Sequence, residues 1–150
     1  MVVKLERAEP HHLDAVLELV RAFHAEEGVT LEEERRSEAV NTLLNARHYG
    51  YIFLIYAEEG LIGYLVVCFG YSIEFAGRDA FIDELYVIPE ARGRGAGRAA
   101  LTELSQTMQE NGVVALHLEV ERSNDRARCL YREIGFTPRD NYGLMSLSLV

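Results

Sequence analysis

Two carboxylates, Asp83 and Glu84, stand side by side in the otherwise apolar run AFIDELYVI, and shortly after it Arg92, Arg94 and Arg98 are interleaved with Gly93, Gly95 and Gly97. A carboxylate buried among apolar neighbours has its charged form disfavoured, which raises its pKa towards the operating pH of a general base acting directly or through water. Such a carboxylate can equally serve the fold alone, paired with an arginine or placed at a sheet edge. The stretch PEARGRGAGRAAL suggests a complementary task. Glycine lets the main chain come close to a ligand, and the open N–H groups at a helix start, aided by the helix dipole, hold anionic oxygens. In a chain of formal net charge -9, that local concentration of arginine fits an anion with more than one phosphate, with acidic and basic regions kept apart.

The phosphate ligand can be narrowed. A nucleoside triphosphate loop needs Lys and then Ser or Thr after its last glycine, whereas Gly97 is followed by Arg98 and Ala99. The dinucleotide fingerprint G-x-G-x-x-G begins at Gly93 and Gly95 but meets Arg98 at its last position, although Glu119 or Glu121 lies near the ribose-binding spacing. What fits is Arg92-Gly93-Arg94-Gly95-Ala96-Gly97 after LYVIPEA, which resembles the acyl-CoA pyrophosphate loop of the GNAT N-acetyltransferase superfamily, pattern [QR]-x-x-G-x-[GA]. EVERSNDRARCLYREIGF extends the likeness with Asn124, Tyr131, Gly135 and Phe136 in the family's order. The resemblance covers the chain from about Leu61 onward, and the first sixty residues share only its layout.

The resemblance implies acetyl-CoA as donor and an amine of a small molecule or peptide as acceptor. It implies that the pyrophosphate lies on the amides of Arg94, Gly95, Ala96 and Gly97, with Gly93 in the turn and Arg92 nearby. The pantetheine would pair with the main chain of Leu85, Tyr86 and Val87. Glu84 is the first choice of base and Asp83 the second, alternation turning the two to opposite faces of their strand. By resemblance Tyr131 protonates the departing thiolate; its spacing alone would suit a core tyrosine. Asn124 reads either as a helix cap or, as chosen here, as a cofactor contact. His24, Glu26 and Glu27 read as a solvated helix end, with an acidic rim for a cationic amine as the alternative. Neither cysteine stands beside a histidine, so direct transfer in a ternary complex is expected. The rival reading is an acyl-CoA sensor that binds without turnover.

The elements that must position these residues follow from periodicity. Val2 to Glu9 alternates as a strand, and Leu13, Val16, Leu19, Val20 and Phe23 follow at helical spacing until Gly28. Thr30 and Glu33 match a capping box for a second helix ending near Asn45. YIFLIYAEEGLIGYLVVCF is two strands joined at Glu58-Glu59-Gly60. Ala80 to Ile88, the helix after the glycines, and VVALHLEVE form a β-α-β crossover. Asn124 to Ile134 is a helix stopped by Gly135 with Phe136 packing back, and LMSLSLV is a last strand. The fold class expected is α/β, a mixed and mostly antiparallel sheet of about six to seven strands with about four helices.

Composition sets the limits. A chain of 150 residues suits one domain, here 1–150, and 49% hydrophobic content suits a soluble one. Twenty-four acids against fifteen bases disfavour nucleic acid and favour a cationic partner. No run suits a membrane helix or a signal peptide, so a cytoplasmic protein is expected. Cys68 and Cys129 read as small reduced core residues, and no His/Cys cluster has metal spacing, so no metal is expected. The apolar final strand could pair with a second copy as a homodimer.

Overall fold

The computed structural model describes all 150 residues, in two compact units, Met1–Glu119 and Val120–Val150. The first unit runs β1 (Lys4–Arg7), α1 (Leu13–Glu27), α2 (Glu33–Asn45), β2 (Gly50–Ala57), β3 (Gly60–Ser72), β4 (Gly77–Val87), α3 (Ala96–Glu110) and β5 (Ala115–His117). Its single sheet has the order β1-β2-β3-β4-β5, antiparallel throughout except for the parallel pair β4 and β5, which α3 connects. The expected mixed, mostly antiparallel sheet is present with five strands, fewer than expected.

Alternation decides which side chains each face buries. Ile52 and Leu54 of β2, Tyr64 and Val66 of β3 and Tyr86 of β4 form one core with Val16, Leu17 and Val20 of α1 and Val40 and Leu44 of α2. The intervening residues Phe53, Ile55, Leu65 and Val67 are buried on the other face, the side taken by α3, whose Ala100, Leu101, Leu104 and Met108 are buried. Gly28 ends α1 in the left-handed conformation at φ 69°, as expected of a glycine stop.

The anticipated capping box of α2 does not form. Glu32 is the N-cap, and Glu33 accepts from Arg21 Nε of α1 and Arg36 Nη1 of α2, each at 2.5 Å. Two guanidiniums thus take the carboxylate that a capping box would have turned back to the N-cap amide. Those two partners hold the Glu33 carboxyl below its ordinary pKa, the hydrogen bond from Arg21 contributing most. The strand expected over VVALHLEVE is realised only at Ala115–His117.

The second unit holds α4 (Asp125–Ile134). Gly135, at φ 121°, ends it as expected, and Phe136 N bonds back to Tyr131 O at 2.9 Å while the two rings meet edge to face. The expected strand LMSLSLV is absent: Leu144 to Val150 carries no strand pairing and its apolar side chains are exposed. Alternation prepares a segment to bury one face, but a strand exists only when a neighbouring edge takes its hydrogen bonds.

Candidate active site

Strand β4 carries both ends of the candidate site, and a bulge shapes its middle. Val66 of β3 pairs with Glu84 and Val67 with Ile82, leaving Asp83 as the extra residue. Phe81 and Glu84 therefore face the side of Cys68 and Val66, the α1 and α2 side, although they are three residues apart. This corrects the expectation that simple alternation sends Asp83 and Glu84 to opposite faces. Asp83 lies near enough to Glu84 for its charge to act on it, and its own charge acts on Tyr64 and Cys68.

Glu84 is the centre of a hydrogen-bond chain built by four elements. Tyr64 Oη donates to Oε1 at 3.0 Å, and His24 Nε2 lies 2.7 Å from Oε2. Arg36 Nε donates to His24 Nδ1 at 3.2 Å, so Nδ1 is an acceptor and the ring proton sits on Nε2. The chain continues from Arg36 through Glu33 to Arg21. Phe23, Tyr64 and Tyr86 form an aromatic wall beside it, with centroids 5.7 to 6.3 Å apart. Burial, then the adjacent Glu84 charge, pushes the Tyr64 hydroxyl far above its ordinary pKa, so it stays a donor.

Asp83 differs from its neighbour in having no hydrogen-bond or ion-pair partner. Its pKa is raised, first by desolvation and then by the charges of Glu84 and Glu119, with His24 opposing. Its residue surface is exposed all the same.

The other end of β4 offers main chain. Ile88 N bonds to Ile62 O of β3 at 2.8 Å, so Tyr86 and Ile88 turn their peptide groups towards β3, and the alternate residues Leu85 and Val87 turn theirs to the opposite edge. On that edge β5 pairs only with Asp79, Ala80 and Phe81, so the two parallel strands part company before Leu85. The edge of β4 is therefore left without a strand partner where a pantetheine arm was expected. Tyr86 is corrected: its main chain is committed to β3. Past Pro89, Arg92 N turns back to Pro89 O, and the first bond of α3 runs from Ala99 N to Gly95 O. Between them the amides of Gly93, Arg94, Gly95, Ala96 and Gly97 meet no backbone acceptor. Gly93 and Gly95 sit at φ 76° and 84°, a conformation that glycine adopts without steric cost.

The loop arginines are not held apart from the acids, as the sequence suggested. Arg92 reaches Glu26 of α1 at 2.7 Å and the Val87 carbonyl at 2.8 Å, and Arg94 pairs with Glu59 of the β2–β3 turn. The bond to Glu26 raises the Arg92 pKa.

The sequence matches the acetyltransferase (GNAT) family over residues 13–136. The chain belongs to that family. It is 44% identical over 63 residues to the mycothiol acetyltransferase of Beutenbergia cavernae, a stretch covering 40% of this chain and 21% of the relative. It is 34% identical over 104 residues to the [ribosomal protein bS18]-alanine N-acetyltransferase of Haemophilus ducreyi, covering 67% of this chain and 68% of the relative. The crystal structure of integron cassette protein HFX_CASS3, from the mobile metagenome of Cole Harbour Salt Marsh, superposes with a TM-score of 0.84 at 29% identity, covering 97% of this chain and 90% of that one. The chain thus spans only about a fifth of the length of the mycothiol acetyltransferase it matches.

As a GNAT chain it carries its other candidate residues on α4. Tyr131 is half-buried, and desolvation raises its hydroxyl above the ordinary tyrosine value, so it holds its proton at neutral pH. Asn124 acts as the helix cap, Oδ1 accepting from Ala127 N at 3.1 Å, which realises the alternative that the sequence reading set aside and leaves its amide NH2 to donate. Cys129 is exposed and so is not the core residue expected. Cys68 is half-buried, and burial, followed by the charges of Asp83 and Glu84, raises its thiol pKa.

The sequence singles out neither Tyr64 nor Arg36, and the residue it misplaces is His24. It reads as a solvated helix end and proves to be 8% exposed. Its signal was its spacing: Val16, Val20 and His24 recur every four residues along the buried stripe of α1.

Proposed function

We propose that this GNAT chain is an acetyl-CoA-dependent N-acetyltransferase acting on a primary amine of a small molecule or peptide. The observation that carries the reading is the row of open amides from Gly93 to Gly97 at the start of α3, next to the unpaired edge of β4. Open amides at a helix start suit a pyrophosphate, and the outward peptide groups of Leu85, with the N–H of Val87, whose carbonyl Arg92 holds, suit an extended amide-bearing arm. The arm would place its thioester towards the bulge, where one of its two carboxylates, Asp83 or Glu84, removes a proton from the ammonium.

The freed lone pair attacks the thioester carbonyl, a C–N bond forms, and the C–S bond breaks. Tyr131 gives the thiolate its proton, the role the family resemblance implies. Of the two protons the ammonium loses, one leaves through the carboxylate to solvent, and the other restores Tyr131 by way of solvent. Transfer is direct: the raised pKa keeps the Cys68 thiol protonated and therefore a poor nucleophile. The acidic surroundings of Asp83, with Glu84 and Glu119 near, favour a cationic acceptor. The relatives act on mycothiol chemistry and on a ribosomal protein alanine, as their names state, and an amine acceptor is the class we carry over.

Thiol release with acetyl-CoA across a panel of polyamines, amino acids, aminoglycosides and peptides tests the proposal. Release matched by an acetylated amine is expected. Calorimetric binding of acetyl-CoA with no release from any amine would instead favour a sensor, and absence of binding would remove both readings.

A further inference from the structure

We infer that Asp83, and not Glu84, takes the amine's proton, because Tyr64, His24 and Arg36 commit Glu84 to a closed hydrogen-bond chain; the inference rests on the amine transfer proposed above. Both oxygens of Glu84 already accept a bond, one from Tyr64 and one from the His24 Nε2 proton. A proton placed on Glu84 weakens both bonds, whereas a proton placed on Asp83 breaks none.

The chain also has no outlet. His24 could relay a proton away from Glu84 only by taking another at Nδ1, and Nδ1 faces the Nε–H of Arg36. Arginine has no acceptor and keeps its charge, so a protonated Nδ1 would set two donors against each other. Arg36 thus fixes the tautomer of His24, His24 fixes Glu84, and the fixed charge of Glu84 beside the bulge makes Asp83 a stronger base. His24 and Arg36 are positioning residues in this scheme. The step balances: one proton passes from the ammonium nitrogen to Asp83 Oδ, and the nitrogen keeps the electron pair that attacks the carbonyl.

The titratable and charged groups around Asp83 come from every neighbouring element: Glu84 beside it, Glu119 after β5, His24 on α1, and Tyr64 and Cys68 on β3. Glu84 and Glu119 disfavour the Asp83 carboxylate and His24 favours it. Removing the Glu84 charge should therefore move the Asp83 titration to lower pH.

The test uses the full chain and two readouts. Carboxyl carbon NMR follows Asp83 against pH in wild type and Glu84→Gln, and ring nitrogen NMR follows His24 in wild type and Arg36→Met. Rate profiles are then taken with the best amine from the panel. We expect Asp83→Asn to cut turnover by roughly a hundredfold to ten-thousandfold and to erase the low-pH limb. Glu84→Gln, whose amide can still pair with Tyr64 and His24, should cost less than tenfold and shift that limb to lower pH, as the Asp83 carbon signal shifts. Arg36→Met should free Nδ1 of His24 from its donor and let the ring exchange tautomers, read in its nitrogen signals. Loss of turnover and limb in Glu84→Gln while Asp83→Asn keeps both would overturn the inference, as would an Asp83 signal indifferent to the Glu84 charge. The NMR readouts need no turnover, so failure of the transferase reading is recognised separately, by a wild type inert towards every amine.

Discussion

The glycine loop and the β4 bulge lie at two ends of one stretch of chain, and they are built on opposite terms. The loop is bare main chain: its amides from Gly93 to Gly97 lack acceptors, and the side chains of Arg92 and Arg94 are drawn off to Glu26 and Glu59. The bulge is dense with side chains, and Glu84 has its donors supplied from α1 and β3. One region leaves its polar groups for a ligand, while the other satisfies them internally and leaves Asp83 as the exception. A site can thus bind through what the fold leaves undone at one end and react through what the fold completes at the other.

The contrast gives an ordered set of expectations. The largest effect concerns Tyr131, which belongs to neither region and should act only after both have worked. Tyr131→Phe is expected to lower turnover by roughly a hundredfold or more while acetyl-CoA affinity holds, because the hydroxyl is needed once charge develops on sulfur. Steady-state rates beside calorimetry check this, and an unchanged turnover would take Tyr131 out of the mechanism.

Next comes the internally satisfied region. Tyr64 is fully buried and donates to a carboxylate, so Tyr64→Phe should lose about 1.5–3 kcal/mol of stability in urea denaturation. A loss near zero would mean that the Glu84 chain is not the closed structure described.

The loop should respond in the opposite sense. A Cβ at Gly97 would meet nothing within 4 Å, and Gly97 is the second residue of α3. Gly97→Ala should therefore stabilise the fold by up to about 0.5–1 kcal/mol and leave acetyl-CoA binding intact, since the loop pattern accepts alanine at this position and the amides stay open. A loss of stability, or a large loss of acetyl-CoA affinity by calorimetry, would break the comparison.

The smallest effect is on stability against pH. Because the Asp83 pKa is raised on folding, the folded chain holds that proton more tightly than the unfolded chain, and stability declines as pH rises from the ordinary carboxylate range through the raised value. Asp83→Asn removes the decline. The variant should match wild type in acid and exceed it slightly at neutral pH, by denaturation at both.

The two regions also differed in how far the sequence disclosed them. Arg92 to Gly97 was legible because its function is local: a turn, a helix start and small residues adjacent in the chain. The strands β2, β3 and β4 and all four helices were legible from periodicity for the same reason. The Glu84 chain was not, since His24, Arg36 and Tyr64 are each tens of residues away and meet it only through packing. The bulge at Asp83 was hidden too, because register belongs to a pair of strands and AFIDELYVI shows only one. The missing final strand and the truncated β5 err in the other direction, a pattern of alternation read without its partner edge.

The central claim, that open main chain beside β4 holds acetyl-CoA, is tested most directly by amide NMR of the full chain titrated with acetyl-CoA. The account predicts that the amide signals of Gly93 to Gly97, with Leu85 and Val87, move together at one affinity. Saturation with those amides unmoved and shifts confined to other elements would contradict it.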